Sequence, residues 1–284
     1  MLKVTKLCKT YPTFHLDNVT FELPKGYIMG FLGTNGAGKT TTLKSMLNIV
    51  HPDSGTVEIL GKDMQNNELE IKQNTGFMLG SFEYFPKATL SDITKVYSNF
   101  YTNWNESKYR EYLKRFDLNE TKKVTELSAG MKVKYGLALA LSHGAKLLIL
   151  DEPTSGLDPI ARDDLLDLFR EIIEDGETSI LFSTHITSDL DKCADFILMI
   201  KKGKIIANDT KDNLIDNYAL ISGKKAYLTE ELCAKMVGCK KHNLNFKGLI
   251  KRENLPKNSD LVVEKPNLED IMVYFNLEAE NEHN

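Results

Sequence analysis

Apolar positions in this chain follow two rhythms that alternate along its length. Short runs with strand character come first: KVTKL, VTFEL and YIMGFLG, the last two separated by the turn LPKG. A glycine-rich stretch then gives way to KTTTLKSMLNIV, where Leu43, Met46, Leu47 and Val50 recur at helical spacing. HPDSG stops that helix, and TVEIL resumes as a strand. Over 91–116 the spacing predicts a helix whose Ile93, Val96, Tyr97, Phe100, Tyr101 and Trp104 share one aromatic face. Such a face is either a core stripe or the wall of a groove for another protein. AKLLILDEP reads as a buried strand ending in two carboxylates, TSILFST as a strand closed by His185, and DFILMIKKGKII as a hairpin around Lys202 and Gly203. This alternation to about residue 210 predicts an α/β domain on a mainly parallel sheet. Beyond 212 the pattern weakens to a helix at EELCAKMVG, a strand at LVVEK and a final helix at LEDIMVYFNL. A small α/β appendage over 213–284 is therefore expected.

Composition narrows the class. The 284 residues are 42% hydrophobic, enough for one large domain with an appendage. The net charge of −4 and the scattered Lys and Arg do not favour a nucleic-acid partner. The opening MLKVTKLCKTYPTF lacks the apolar centre of a signal peptide, and YGLALALS and KLLIL are far too short to span a bilayer. Cys8, Cys193, Cys233 and Cys239 have no metal-ligand spacing, so a cytoplasmic location with buried, reduced thiols is expected. Any membrane role then comes through partners.

The chemistry concentrates in FLGTNGAGKTTTL. Gly33, Thr34, Asn35, Gly36, Ala37, Gly38, Lys39 and Thr40 match G-x-x-x-x-G-K-[ST] between a strand and a helix, the context a phosphate-binding loop requires. Glycines let consecutive N–H groups wrap the phosphates, and the helix N-terminus adds partial positive charge. Lys39 would neutralise the β- and γ-phosphates, and the Thr40 hydroxyl would ligate Mg²⁺. Asp151 and Glu152 follow LLIL at the carboxyl end of a strand, where α/β sheets bind ligands. There one acid can hold Mg²⁺ and the other can polarise an attacking water. His185 ends a strand of the same kind; by position alone it is equally a γ-phosphate group or an ordinary histidine.

Taken together, the chain resembles the ATP-binding subunits of ABC transporters over residues 1–212. LSAGM (127–131) resembles the signature LSGGQ, SGLD (155–158) matches the D-loop, and STH (183–185) matches the switch histidine. The resemblance implies an α/β P-loop NTPase fold of ABC type. Its parts would be a mainly parallel core, N-terminal antiparallel β strands and a helical subdomain over about 84–143. It implies that Tyr11 stacks on adenine and Thr41 touches the α-phosphate, while Thr42 serves only the helix. It also implies that Asp151 holds Mg²⁺, Glu152 is the general base, and His185 binds the γ-phosphate. Ser128 and Gly130 would reach the nucleotide of a second ATP-binding subunit, in a homodimer or heterodimer. Integral membrane permease subunits would be the other partners, with the chain peripheral on the inner face of the cell membrane.

Two departures stand out. Gly80 occupies the place where the family usually carries a Gln that helps hold Mg²⁺, leaving Glu83 as the nearest acidic residue. Ala129 and Met131 replace Gly and Gln in the signature. The stretches 127–162 and 182–197, with LEDIMVYF near the C-terminus, look most like exporters of the Gram-positive antibiotic and peptide type. Phe82, Tyr84, Phe85 and Trp104 are expected to line the groove for a permease helix. Two other functions fit the motifs: a regulatory nucleotide-binding subunit with weak hydrolysis, and a soluble ABC ATPase outside transport.

Overall fold

The structure, a computed structural model, describes residues 1–80, 86–256 and 260–277. It begins with two long antiparallel strands, β1 (Leu2–Tyr11) and β2 (Phe14–Leu23), and continues into β3 (Ile28–Leu32) and α1 (Lys39–Met46). Next come β4 (Ser54–Ile59), β5 (Lys62–Asp63), α2 (Met64–Gln73) and β6 (Thr75–Leu79). A helical segment holds α3 (Leu90–Ser98), α4 (Glu106–Arg115) and α5 (Ala129–Ser142). The chain returns to the sheet through β7 (Leu147–Asp151), α6 (Pro159–Ile173), β8 (Ser179–Thr184), α7 (Thr187–Cys193), β9 (Phe196–Lys201) and β10 (Lys204–Thr210). Then follow α8 (Lys211–Asp216), β11 (Tyr218–Lys224), α9 (Glu230–Lys235), β12 (Met236–Lys241), β13 (Asn245–Lys251), β14 (Val262–Glu264) and α10 (Leu268–Leu277).

The central sheet has the order β10-β9-β3-β8-β7-β6. All its pairings are parallel except that of β10 with β9. Helices and a second sheet cover its two faces, which is why its strands read as unbroken apolar runs rather than alternating ones. Within each strand, alternate side chains still go to opposite faces. Leu147, Ile149, Leu181 and Leu198 join Leu43, Met46 and the strands of the β2-β1-β4-β5 sheet in one core. Leu148, Leu150, Ile180, Phe182 and Ile197 join α5, α6 and α7 in the other. Burying a Leu or Phe contributes roughly 1.5–3 kcal/mol each, so the sheet forms a stiff platform for the loops at its edge.

The helix expected over 91–116 is two helices. Its aromatic periodicity runs on through the break, but capping decides otherwise. Asn105 accepts from Lys108 N–H at 3.0 Å and starts α4, while the Thr102 N–H is drawn to Gln73 Oε1 at 2.9 Å. The expected aromatic face is therefore divided. Ile93, Tyr97 and Trp104 pack on the core, whereas Val96 and Phe100 are 59% and 70% exposed.

The C-terminal segment forms an antiparallel sheet, β12-β13-β11-β14, under α10. Residue 212 lies inside α8, and Leu220, Leu249, Leu268, Ile271 and Phe275 join the same core as β8. Lys201 Nζ donates to Phe275 O at 2.6 Å and Asn276 O at 3.2 Å, closing the end of α10 onto β9. Of the four thiols expected to be buried, only Cys193 is; Cys8, Cys233 and Cys239 are half-exposed. Among the described residues no helix is long and apolar enough to cross a membrane.

Candidate active site

Loop 33–38 leaves the end of β3 and turns directly into α1. Gly38 sits at φ 115° and Gly36 at φ 78°, values an L side chain rarely adopts. A Cβ on Gly38 would stand 2.7 Å from the Phe14 ring, while one on Gly36 would meet nothing within 4 Å. Gly36 is thus needed for backbone conformation rather than for packing, and the space beside it is open to a ligand. Thr42, as expected, serves the helix: its buried hydroxyl donates to Gly38 O at 2.9 Å. Thr34, Asn35, Gly36 and Ala37 border a cleft of about 370 Å³ with Lys201, Lys202 and Asn276. A larger cleft of about 890 Å³ lies in the appendage around Tyr227, Leu232 and Leu261, far from these groups in the sequence and in the sheet order.

Lys39 is only 6% exposed. Its Nζ donates to Gly33 O at 2.7 Å and lies 3.1 Å from Glu152 Oε1. His185 Nδ1 is 2.8 Å from the other oxygen of that carboxylate, Oε2. Beside them, Thr40 Oγ1 donates to Asp151 Oδ2 at 2.7 Å. The fold therefore gathers Lys39, Thr40, Asp151, Glu152 and His185, from three separate stretches of chain, at the carboxyl ends of β3, β7 and β8. Glu152 holds φ 51°, a left-handed backbone conformation costing roughly 1–3 kcal/mol, just past the last β7–β8 pair, where its N–H donates to Ser183 Oγ at 2.9 Å.

Three expected residues lie apart from this cluster. Tyr11 ends β1 with its ring 39% exposed and Lys9 Nζ 5.8 Å from the ring centre. Ser128 caps α5, accepting from Met131 N–H at 3.2 Å. Gly130 faces Leu157 in the same chain, where an added Cβ would be 3.5 Å from Leu157 Cδ2. Among the described residues, no hydrogen bond joins Ser128 or Gly130 to loop 33–41. Thr41 is half-buried on α1. Gly80 has φ 86°, so a glutamine placed there would carry backbone strain. Phe82, Glu83, Tyr84 and Phe85 lie outside the described residues. Trp104, expected to line a groove, is half-buried, its ring 5.2 Å from that of Tyr109.

Sequence reasoning missed the groups that orient the acids. Ser183 Oγ donates to Asp151 Oδ1 at 2.5 Å and accepts from Glu152 N–H at 2.9 Å. Asp189, 1% exposed, accepts from Thr154 Oγ1 at 2.6 Å and lies 3.0 Å from Arg162 Nε. The available signal was a pair of hydroxyls, Ser183 and Thr184, following the apolar run Ile180–Phe182 at the end of β8.

The cluster fits a metal nucleotide. A hydroxyl and a carboxylate in contact are the hard oxygen donors that Mg²⁺ takes while keeping waters and phosphate oxygens. Among the described residues no group of three or more His, Cys, Asp or Glu could hold a metal unaided. Glu152 Oε1 is buried and makes no hydrogen bond, its one close polar neighbour being Lys39 Nζ at 3.1 Å, so a ligand that draws Lys39 away leaves that oxygen to a water.

Comparison with known proteins points the same way. The profile of the family described as ABC transporter matches residues 16–155. The chain is 34% identical to the bacitracin transport ATP-binding protein BcrA of Bacillus licheniformis, over 75% of this chain and 71% of that one. It is 31% identical to the ABC transporter ATP-binding protein YtrB of Bacillus subtilis (strain 168), over 72% and 70% of the two chains. A solved ATP-binding subunit of an ABC transporter superposes with a TM-score of 0.67 at 27% identity, covering 75% of this chain and 91% of that one. The dimeric structure of a post-hydrolysis ATP-binding cassette bound to ADP and Pi gives a TM-score of 0.66 at 21% identity. It covers 74% of this chain and 98% of its own, a likeness in fold alone.

Proposed function

This chain belongs to the ABC transporter family as an ATP-binding, ATP-hydrolysing subunit, and we propose that the Lys39–Glu152–His185 cluster is the hydrolytic centre that drives export through separate permease subunits. The observation that carries the reading is the position of Glu152 between the phosphate-loop lysine and His185.

In this reading the phosphates of ATP lie along the N–H groups of 34–39, and Lys39 Nζ exchanges its contact with Glu152 for phosphate oxygens. The released Glu152 carboxylate takes a proton from a water attacking the γ-phosphorus; the bond to the β–γ bridging oxygen breaks, leaving ADP and inorganic phosphate. His185 holds the γ-phosphate side of the site and Tyr11 offers its ring to adenine. Thr40 and Asp151 would hold Mg²⁺, which when bound supplies charge neutralisation on the phosphates. Ser128 and Gly130, separated from the loop within one chain, would complete the site of a second ATP-binding subunit.

Partner surfaces follow from exposure. Phe100 lies beside the end of α2, where Gln73 Nε2 donates to its carbonyl at 2.5 Å; Val96 on α3 is also exposed, and edge strand β6 exposes Phe77. This apolar surface suits a permease helix, which would keep the chain on the inner face of the membrane. Similarity to BcrA, a bacitracin transport protein, makes a peptide or antibiotic the favoured class of cargo.

The deciding experiment is ATP turnover by the chain with its co-purifying membrane proteins, beside the Glu152→Gln variant. Turnover in the first and none in the second is expected. Equal turnover in both would remove Glu152 from the base role.

A further inference from the structure

A carboxylate almost wholly removed from water is an expensive thing to fold unless it is paired. Asp189, in the first turn of α7, is such a group, and no part of the hydrolytic chemistry above uses it. Its partners come from three segments that each carry one component of the site. Thr154, which donates to Oδ2 at 2.6 Å, stands two residues beyond Glu152. Thr184, whose hydroxyl is 3.4 Å from the same oxygen, immediately precedes His185 and accepts from Ile186 N–H at 3.0 Å. Arg162, with Nε 3.0 Å from Oδ1, is on the first turn of α6, four residues beyond Asp158. Asp158 caps that helix, accepting from the N–H groups of Ile160 and Ala161, and so anchors loop 155–158. Within that loop, Leu157 is the residue facing Gly130.

We propose that Asp189 and Arg162 are positioning residues for hydrolysis, a buried carboxylate and a partly exposed guanidinium that together lock the turn carrying Glu152, the strand end carrying His185 and the loop 155–158 into a single register. The inference rests on the hydrolytic reading of Glu152 and His185. Among the described residues no hydrogen bond or ion pair joins Asp189 or Arg162 to loop 33–41 or Lys39, so the pair governs turnover rather than nucleotide binding. An ångström of drift in a general base is enough to lower turnover by about two orders of magnitude. A hydrophobic pair could fill the same space without setting that register.

The test separates turnover from affinity. Asp189→Asn keeps the shape and the acceptor for Thr154 but deletes the charge facing Arg162. Its kcat for ATP is expected to fall roughly ten- to a hundredfold while its Kd for ADP stays within about twofold of wild type. The double variant Arg162→Leu/Asp189→Asn removes both charges together while keeping the acceptor for Thr154, so its melting temperature is expected to stay near that of wild type with kcat still low. Should Asp189→Asn fail to fold, Arg162→Lys keeps a charge but loses the Nε that stands 3.0 Å from Asp189 Oδ1, and is expected to show the same split. Wild-type kcat in any folded variant overturns the proposal. So does an equal loss of ADP affinity and kcat, which is what a purely structural pair would give. If Glu152→Gln is inactive while Asp189→Asn turns over normally, only this inference fails. If wild type and Glu152→Gln turn over alike, the hydrolytic reading beneath it fails.

Discussion

Lys39 is committed to Glu152, and on the proposed reading that commitment opposes nucleotide binding. Lys39 Nζ lies 3.1 Å from Oε1, with the two side chains 6% and 25% exposed. An ADP β-phosphate must draw Lys39 away from this partner. A partly exposed ion pair is worth about 1 kcal/mol after desolvation and screening, roughly a fivefold change in an equilibrium constant. Glu152→Gln keeps the side-chain shape but removes the charge, freeing Lys39 in advance. The variant should therefore bind ADP roughly fivefold more tightly than wild type, the ion-pair term appearing as affinity. ADP is the right probe because it is not hydrolysed and carries no γ-phosphate to trap a dimer. Calorimetric titration at low and high salt gives the number, and the gain should shrink as salt screens the wild-type pair. A double-mutant cycle isolates the term: in a Lys39→Met background, Glu152→Gln should no longer improve ADP binding. Unchanged ADP affinity in Glu152→Gln, or a gain that survives in Lys39→Met, would refute the competition between carboxylate and phosphate.

Other consequences are as direct. Lys39→Ala removes a charge-assisted phosphate contact worth roughly 1.5–3 kcal/mol and should weaken ATP binding at least tenfold in the same titration. Phe100→Ser should loosen association with the membrane fraction while leaving ATP affinity intact; equal losses of both would show that the side chain supports the fold. His143, 1% exposed at the end of α5, is held neutral by burial, its pKa lowered to about 4. The unfolded chain therefore binds the extra proton, so stability is lost as pH falls from about 6.5 towards 4, by on the order of 3 kcal/mol in full. Replacing His143 with Phe should flatten that limb of a pH series of denaturant melts, and an unchanged limb would exclude His143 as its source.

How much of this was legible in the chain depends on range. The conformation of loop 33–38 was, because its determinants are contiguous: glycines that permit positive φ, then Lys39 and Thr40 at the start of one helix. Asp151 and Glu152 were legible because a fully buried parallel strand is an uninterrupted apolar run, and its end announces itself when charge begins. The two-faced core followed from the same runs. What the sequence left open is set by distance and burial. Nothing in ITSDLDKC marks Asp189 as different from Asp191; only packing α7 against α6 and β8 excludes water from the first and brings Arg162, Thr154 and Thr184 to it. The break between α3 and α4 had a mixed origin: Asn105 is a local cap for Lys108 N–H that aromatic periodicity overrode, whereas Gln73, which takes the Thr102 N–H, arrives from 29 residues away. Local backbone preference and hydrophobic pattern act over a few residues and can be read in order. The cost of burying a charge depends on which distant groups arrive to meet it, and that is decided only when the chain has folded.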